Sequence, residues 1–309
     1  MNNLNLFNGP VFTVFTAFDQ NRRLDITSTL NYLDFLLEKG VSDFYVMPYN
    51  SRYLQLSPKE IETLNFEVVK HLKSGNSSQV IVSSPVECST DVAIDYAKKA
   101  RDCGADIFAS AFGEKFFFNG QVVEHYQALA EVFPKLLVHE QPLISGHSSN
   151  QMNWPLSLLK DVASLQEVVA FKEDTKSESY GKSILSLELE AQLVFAGRKK
   201  LFLPLVEFGL NSYLNGISIV EPKIAFKFWE LVQDGDSEQA RRFVNEVDDP
   251  FWNGPVKKYG WHRVNKASLE IFGLMSREDR PPLPALNAKE FEDLREFWSR
   301  HQEVIYEWV

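Results

Sequence analysis

Eight times along the first two thirds of this chain, a short run rich in β-branched and aromatic residues gives way to a longer amphipathic stretch. No other feature narrows the choice of fold as much. The runs at 11–16, 43–47, 79–83, 106–110, 135–140, 168–172, 192–197 and 213–219 have strand length and strand composition. Between them, 26–39, 58–73, 90–103 and 121–133 carry apolar residues at helical spacing. Local punctuation agrees with this. Ser57-Pro58-Lys59-Glu60 combines a capping box with proline at the first helical position. Gly40 and Gly104 fall just after helical stretches, where a left-handed C-terminal cap is wanted, and each leads directly into a strand. Eight β-then-α units predict an α/β protein of the (β/α)8 TIM-barrel type, with chemistry at the C-terminal ends of the strands. A doubly wound open sheet is the alternative, but the chain has neither G-x-G-x-x-G nor a Walker loop. The barrel is expected over 1–221. Residues 222–309 are expected to form the last barrel helix and a C-terminal helical extension, not an independent domain. Pro281-Pro282-Leu283-Pro284 breaks that extension before a final helix over 288–306.

Composition limits the function classes. With 44% hydrophobic residues in 309, the chain can bury a large core. A formal charge of −10 without any compensating basic stretch argues against nucleic-acid binding. No apolar run approaches the ~20 residues of a membrane span, and Met1-Asn2-Asn3-Leu4-Asn5 lacks the features of a signal peptide. Cys88 and Cys103 form no C-x-x-C pair, so free thiols in a reducing compartment, and a cytoplasmic location, are expected.

Lys172 closes the run Val168-Val169-Ala170-Phe171-Lys172 and is followed by Glu173-Asp174. Strand alternation places Lys172, Ala170 and Val168 on one face and Phe171 and Val169 on the other. A lysine at the end of a barrel strand can shed its charge by desolvation and attack a carbonyl carbon to form a Schiff base. By position alone, a solvated lysine closing a strand is the commoner case. Other constellations are weaker. His125, His139, Glu140 and His147 suggest a metal, but adjacent His139 and Glu140 point to opposite faces of a strand, and no metal site is expected. Gly197-Arg198-Lys199-Lys200 reads either as a subsite for a phosphorylated or acidic substrate or as a solvated basic loop. Phe116-Phe117-Phe118 reads as a cover for the mouth or a subunit contact.

Across nearly its whole length the chain resembles the dihydrodipicolinate synthase / N-acetylneuraminate lyase family of Schiff-base aldolases and dehydratases. The resemblance is carried by Phe15-Thr16-Ala17-Phe18-Asp19, Leu56-Ser57-Pro58-Lys59-Glu60, Ala97-Lys98-Lys99-Ala100 with Gly104-Ala105-Asp106, and Glu124-His125-Tyr126. It continues through Val169-Ala170-Phe171-Lys172-Glu173-Asp174 to Arg280-Pro281-Pro282-Leu283-Pro284. It implies that the Lys172 amine condenses with a 2-oxo acid, the imine then serving as the electron sink, so that no cofactor is needed. It also implies a homo-oligomer, dimer or tetramer.

The chain departs from the family at the groups that would assist the lysine. Where the family has a G-T-T-G-E carboxylate loop, this chain has Pro48-Tyr49-Asn50-Ser51-Arg52. Asn50 and Ser51 retain donors, and Arg52 either clamps a carboxylate or lies on the surface. In Val138-His139-Glu140-Gln141-Pro142, His139 occupies the place of the family's proton-shuttling tyrosine, and imidazole suits acid/base work near neutral pH. A second tyrosine has no counterpart in 111–118, and Ile144 stands where some members carry arginine, which speaks against dihydrodipicolinate synthesis itself. In the eighth-strand region, Asn215 and Ser218 are expected to face the pocket. The implied activity is a Schiff-base lyase, aldolase or dehydratase, acting on a sugar-derived 2-oxo acid. The competing class is a non-catalytic metabolite-binding protein on the same barrel.

Overall fold

A computed structural model describes residues 6–75, 77–114, 118–140, 153–173 and 177–309. Met1 to Asn5, Lys115, Phe116, Phe117, Gln141, Pro142, Ile144, His147 and Asp174, which carry part of the sequence reading, lie outside the described residues. Strands β1 (Gly9–Thr13), β2 (Asp43–Val46), β3 (Gln79–Ser83), β4 (Ile107–Ser110), β5 (Leu136–Glu140), β6 (Val168–Glu173), β7 (Gln192–Phe195) and β8 (Ser212–Leu214) pair in parallel, each with the next. The pairing of β8 with β1 closes the barrel. Each strand is followed by a helix: α1 (Ile26–Glu38), α2 (Pro58–Lys73), α3 (Thr90–Asp102), α4 (Asn119–Ala130), α5 (Leu156–Ala163), α6 (Glu178–Leu185), α7 (Lys199–Val206) and α8 (Lys223–Gln233). A helical run over 237–259 follows, with π-helical stretches at Val244–Asp248 and Trp252–Val256, and then helices Trp261–Ile271 and Ala288–Trp308.

The caps that were legible in the sequence form. Glu60 N donates to Ser57 Oγ at 3.3 Å, Ser57 N donates back to Glu60 Oε2 at 2.8 Å, and Pro58 opens α2. Gly40 and Gly104 take φ of +89° and +90° just beyond their helices, a region that costs an L side chain dearly.

Two apolar cores result from the strand alternation. Val11, Tyr45, Ile81, Leu137, Ala170 and Val194 fill the barrel interior. Phe12, Phe44, Phe108, Val138, Phe171 and Phe195 pack outward under the helices. Val168 differs from expectation. Pairing between β5 and β6 runs Leu136↔Val168 and then Leu137↔Ala170, so Val169 is an extra residue at a bulge. Below the bulge the facing of side chains flips. Val168 therefore joins the helix-side core with Phe171 and does not share the face of Lys172.

Strand ends also differ from the sequence reading. Strand β1 stops at Thr13 and β8 at Leu214, because the apolar residues beyond them pack in loops and in a 3₁₀ turn, Ile217–Ile219. Arg198 and Lys199 form neither a phosphate subsite nor a solvated loop. Lys199 Nζ lies 2.9 Å from Asp248 Oδ1 with both groups buried, and Arg198 pairs with Asp249. Their partners lie about fifty residues further on, beyond the reach of local pattern reading. These pairs join the start of α7 to the 237–259 run. Among the described residues no helix is long and apolar enough to cross a membrane.

Removing one partner of a buried ion pair leaves the other charge stranded, at a cost of about 3–5 kcal/mol. Asp248→Ala is therefore expected to lower stability by about that amount in urea titration. The double variant Lys199→Met/Asp248→Leu should recover most of the loss.

Candidate active site

The β5–β6 register places His139 directly beside Lys172, both pointing into the barrel at the C-terminal end of the strands. Lys172 Nζ lies 2.8 Å from His139 Nε2. The other ring nitrogen, Nδ1, lies 3.1 Å from the phenol oxygen of Tyr45, which reaches across the interior from β2. All three residues are at most 2% exposed. A lysine that closes a strand on the surface is thereby excluded: Lys172 is enclosed with an imidazole and a phenol. Glu140 points the other way, as alternation requires, and accepts from the backbone N–H of Trp154 at 3.3 Å.

A second polar group adjoins the first. Thr13 is the register neighbour of Tyr45 on β1. Its hydroxyl accepts from Asn50 Nδ2 at 2.6 Å and donates to Asn215 Oδ1 at 3.1 Å, an oxygen that also accepts from the Thr13 N–H at 3.0 Å. Trp261 Nε1 donates to Asn50 Oδ1 at 3.3 Å. The Asn215 amide nitrogen and the Ser218 hydroxyl are buried without a partner among the described residues, a state that a bound polar ligand would relieve.

Ser51 and Arg52 are placed differently. Ser51 Oγ donates to the Val14 carbonyl at 2.7 Å, and the Ser51 carbonyl accepts from Thr16 Oγ1 at 2.7 Å, so both groups are committed to the loop. Arg52, at φ +62°, is buried rather than on the surface, and its Nε donates to Asp279 Oδ1 at 3.2 Å. His262 Nε2 lies 2.9 Å from the other oxygen of Asp279. Beside them Lys266 donates to the Thr16 carbonyl at 2.7 Å. Burial pushes the His262 imidazole down to about 4 and the Lys266 amine down to about 8. Arg280 binds the Gln55 carbonyl at 2.8 Å and both carboxylate oxygens of Glu60. The loop after β2 is thus gripped from the chain's C-terminal region.

His125 is occupied on both nitrogens, by Thr90 at 2.9 Å and by Ser110 at 3.1 Å, and Ser110 continues the chain to Ser84 at 3.1 Å. Among the described residues no cluster of three histidine, cysteine or acidic side chains is arranged to hold a metal. Tyr45 and Thr13 were not singled out from the sequence. An aromatic and a threonine inside strands read as core, and only the interior-facing parity they share with Lys172 would have marked them.

The sequence pattern of the dihydrodipicolinate synthetase family matches residues 6–300. An uncharacterised DapA-like lyase of Halobacterium salinarum is 25% identical over 286 residues, covering 90% of this chain and 89% of that one. A 4-hydroxy-tetrahydrodipicolinate synthase of Methanospirillum hungatei is 24% identical over 306 residues, covering 96% of this chain and all of its own length. Among solved structures, a catalytic-lysine mutant of Ruminococcus gnavus sialic acid aldolase superposes with a TM-score of 0.86 at 18% identity, over 100% of both chains. Dihydrodipicolinate synthase from Aquifex aeolicus does so at 0.84 and 19%, covering 96% of this chain and 98% of that one.

Burial also holds His125 down to about 4, from an ordinary 6.5. Folded His125 and His262 stay neutral where the unfolded chain takes up protons. Their stabilisation is complete above pH 6.5 and is lost as pH falls toward 4, with a slope of up to about 1.4 kcal/mol per pH unit for each group. Urea midpoints measured between pH 7 and 4.5 should decline, and His125→Gln should make that decline shallower.

Proposed function

The chain belongs to the dihydrodipicolinate synthetase family, and we propose that it is a Schiff-base-forming lyase acting on a 2-oxo acid of sugar origin. The observation that carries this reading is an enclosed amine, Lys172 Nζ, 2.8 Å from an imidazole nitrogen at the catalytic end of a barrel. The Lys172 nitrogen attacks the C2 carbonyl, forming a C–N bond as the carbonyl π bond breaks. His139 relays a proton from that nitrogen to the oxygen, giving a carbinolamine, and a second proton, taken up from solvent through His139, lets the oxygen depart as water and leaves the iminium. The resulting iminium accepts the electron pair of the C3–C4 bond in aldol cleavage, or that of C3–H when a hydroxyl leaves C4 in dehydration. No cofactor is required for either course.

The Asn215 amide and the Ser218 hydroxyl, both buried donors, are the favoured contacts for the substrate's polar groups, with Asn50 beside them on Thr13. Ser51 and Arg52 act by fixing the loop that presents Asn50. Similarity to a sialic acid aldolase supports a sugar-derived substrate. Ile144, where some relatives carry arginine, speaks against dihydrodipicolinate synthesis. We place the enzyme in the cytoplasm as a dimer or tetramer. The altered carboxylate loop and the histidine in the tyrosine's place favour one competing reading, a metabolite-binding protein on the same barrel.

Borohydride reduction in the presence of pyruvate and a panel of sugar 2-oxo acids, read by intact mass and peptide mapping, separates the two readings. A lyase gives a reduced adduct on Lys172 that is absent from Lys172→Ala; a binding protein gives none. With the 2-oxo acid that is trapped, turnover measured without borohydride should fall by roughly 10²–10⁴-fold in His139→Phe and be retained or raised in His139→Tyr. Equal activity of these two variants would remove His139 from the acid/base role.

A further inference from the structure

We infer that Tyr45 is the positioning residue of this site: its phenol donates to Nδ1 of His139, which fixes the ring proton on Nε2 and aims it at the Lys172 amine. The inference rests on the lyase reading for its consequence, although not for its geometry. Tyr45 is fully buried among aliphatic side chains of the barrel interior. A buried hydroxyl is hydrogen-bonded, and the imidazole nitrogen, 3.1 Å away, is one of its partners. Of the two groups, the phenol is the stronger donor and the unprotonated ring nitrogen the stronger acceptor. A neutral imidazole carries one proton. With Nδ1 accepting, that proton is on Nε2, 2.8 Å from Lys172 Nζ.

An N–H donor facing the amine is matched by the nitrogen lone pair and not by an ammonium N–H. Tyr45 therefore acts through His139 to favour the neutral, nucleophilic form of Lys172. In the attack step Nε2–H passes to the carbonyl oxygen, and Nε2 then receives the proton lost by the lysine nitrogen. The ring finishes in the tautomer in which it began, and Tyr45 keeps its proton throughout. Without the phenol the ring is free to present a bare Nε2 to Lys172, which stabilises the ammonium and idles the nucleophile.

The side-chain ¹H–¹⁵N spectrum of histidine-labelled protein tests the tautomer directly, with the His139 signals assigned by their loss in His139→Gln. The wild-type chain should show His139 protonated on Nε2 and accepting on Nδ1; Tyr45→Phe should show a mixture of tautomers. Borohydride-trapping rates supply the second arm. Tyr45→Phe should slow trapping roughly 10-fold at saturating 2-oxo acid, leave the half-saturating concentration unchanged, and have no further effect in a His139→Gln background. A proton on Nδ1 in the wild-type spectrum overturns the inference, as does a tautomer unaltered in folded Tyr45→Phe. So does an equal slowing by Tyr45→Phe in both backgrounds, because a residue that merely packs the core would act independently of His139. The spectrum of the wild-type chain decides the matter even if Tyr45→Phe fails to fold. Should no 2-oxo acid be trapped by the wild type, the lyase reading falls, while the spectrum still decides the role of Tyr45.

Discussion

Closing eight parallel strands on themselves leaves an interior too narrow for solvent and wide enough only for side chains. Everything else in this molecule follows from how that interior is filled. Beneath the rim it is aliphatic: Val11, Leu137 and Ala170 lie two residues before Thr13, His139 and Lys172 on their strands. Apolar packing at the base leaves the rim as the place where inward-facing polar groups are tolerated: there Tyr45 and Lys172 both meet His139, and Thr13 meets Asn50 and Asn215. A buried amine without such partners would be strongly destabilising. The same constraint that makes the barrel stable thus gathers its reactive groups.

Much of this was legible from residue pattern, because the period of alternation and the placement of caps are local properties. All eight strand runs correspond to strands, and the final helix begins at Ala288 as its spacing suggests. The site was legible where chemistry contradicted burial: a lysine and a histidine ending apolar runs are anomalous, and Lys172 and His139 prove to be neighbours in register. Tyr45 stayed hidden because a tyrosine in a strand is ordinary core. The bulge at Val169 was equally invisible, since an extra residue in a run of valines leaves the local pattern intact while changing which face Val168 occupies. Arg52 is buried on Asp279 rather than exposed, and Lys199 is buried on Asp248; neither pairing is visible in local pattern, because both carboxylate partners are set by tertiary packing.

The C-terminal extension is consequently part of the site's frame. Trp261 holds Asn50, Asp279 holds Arg52, and Arg280 holds both Gln55 and Glu60. Lys266 reaches back to the Thr16 carbonyl across 250 residues of sequence. The loop after β2, which in this chain lacks the glycine and threonines of the resembled family, draws its rigidity from these distant contacts.

That dependence has a consequence for synthesis. Arg52 and Asp279 are 227 residues apart in the chain. At about 5–20 residues per second, a ribosome makes the second roughly 11–45 s after the first. All eight strands are already made by then, whereas the loop bearing Asn50 still waits for its clamp. A nascent or prematurely terminated chain can therefore assemble much of the barrel while lacking the frame around Asn50. A product that stops before Asp279 lacks the carboxylate that holds Arg52, and its loop bearing Asn50 goes without that clamp.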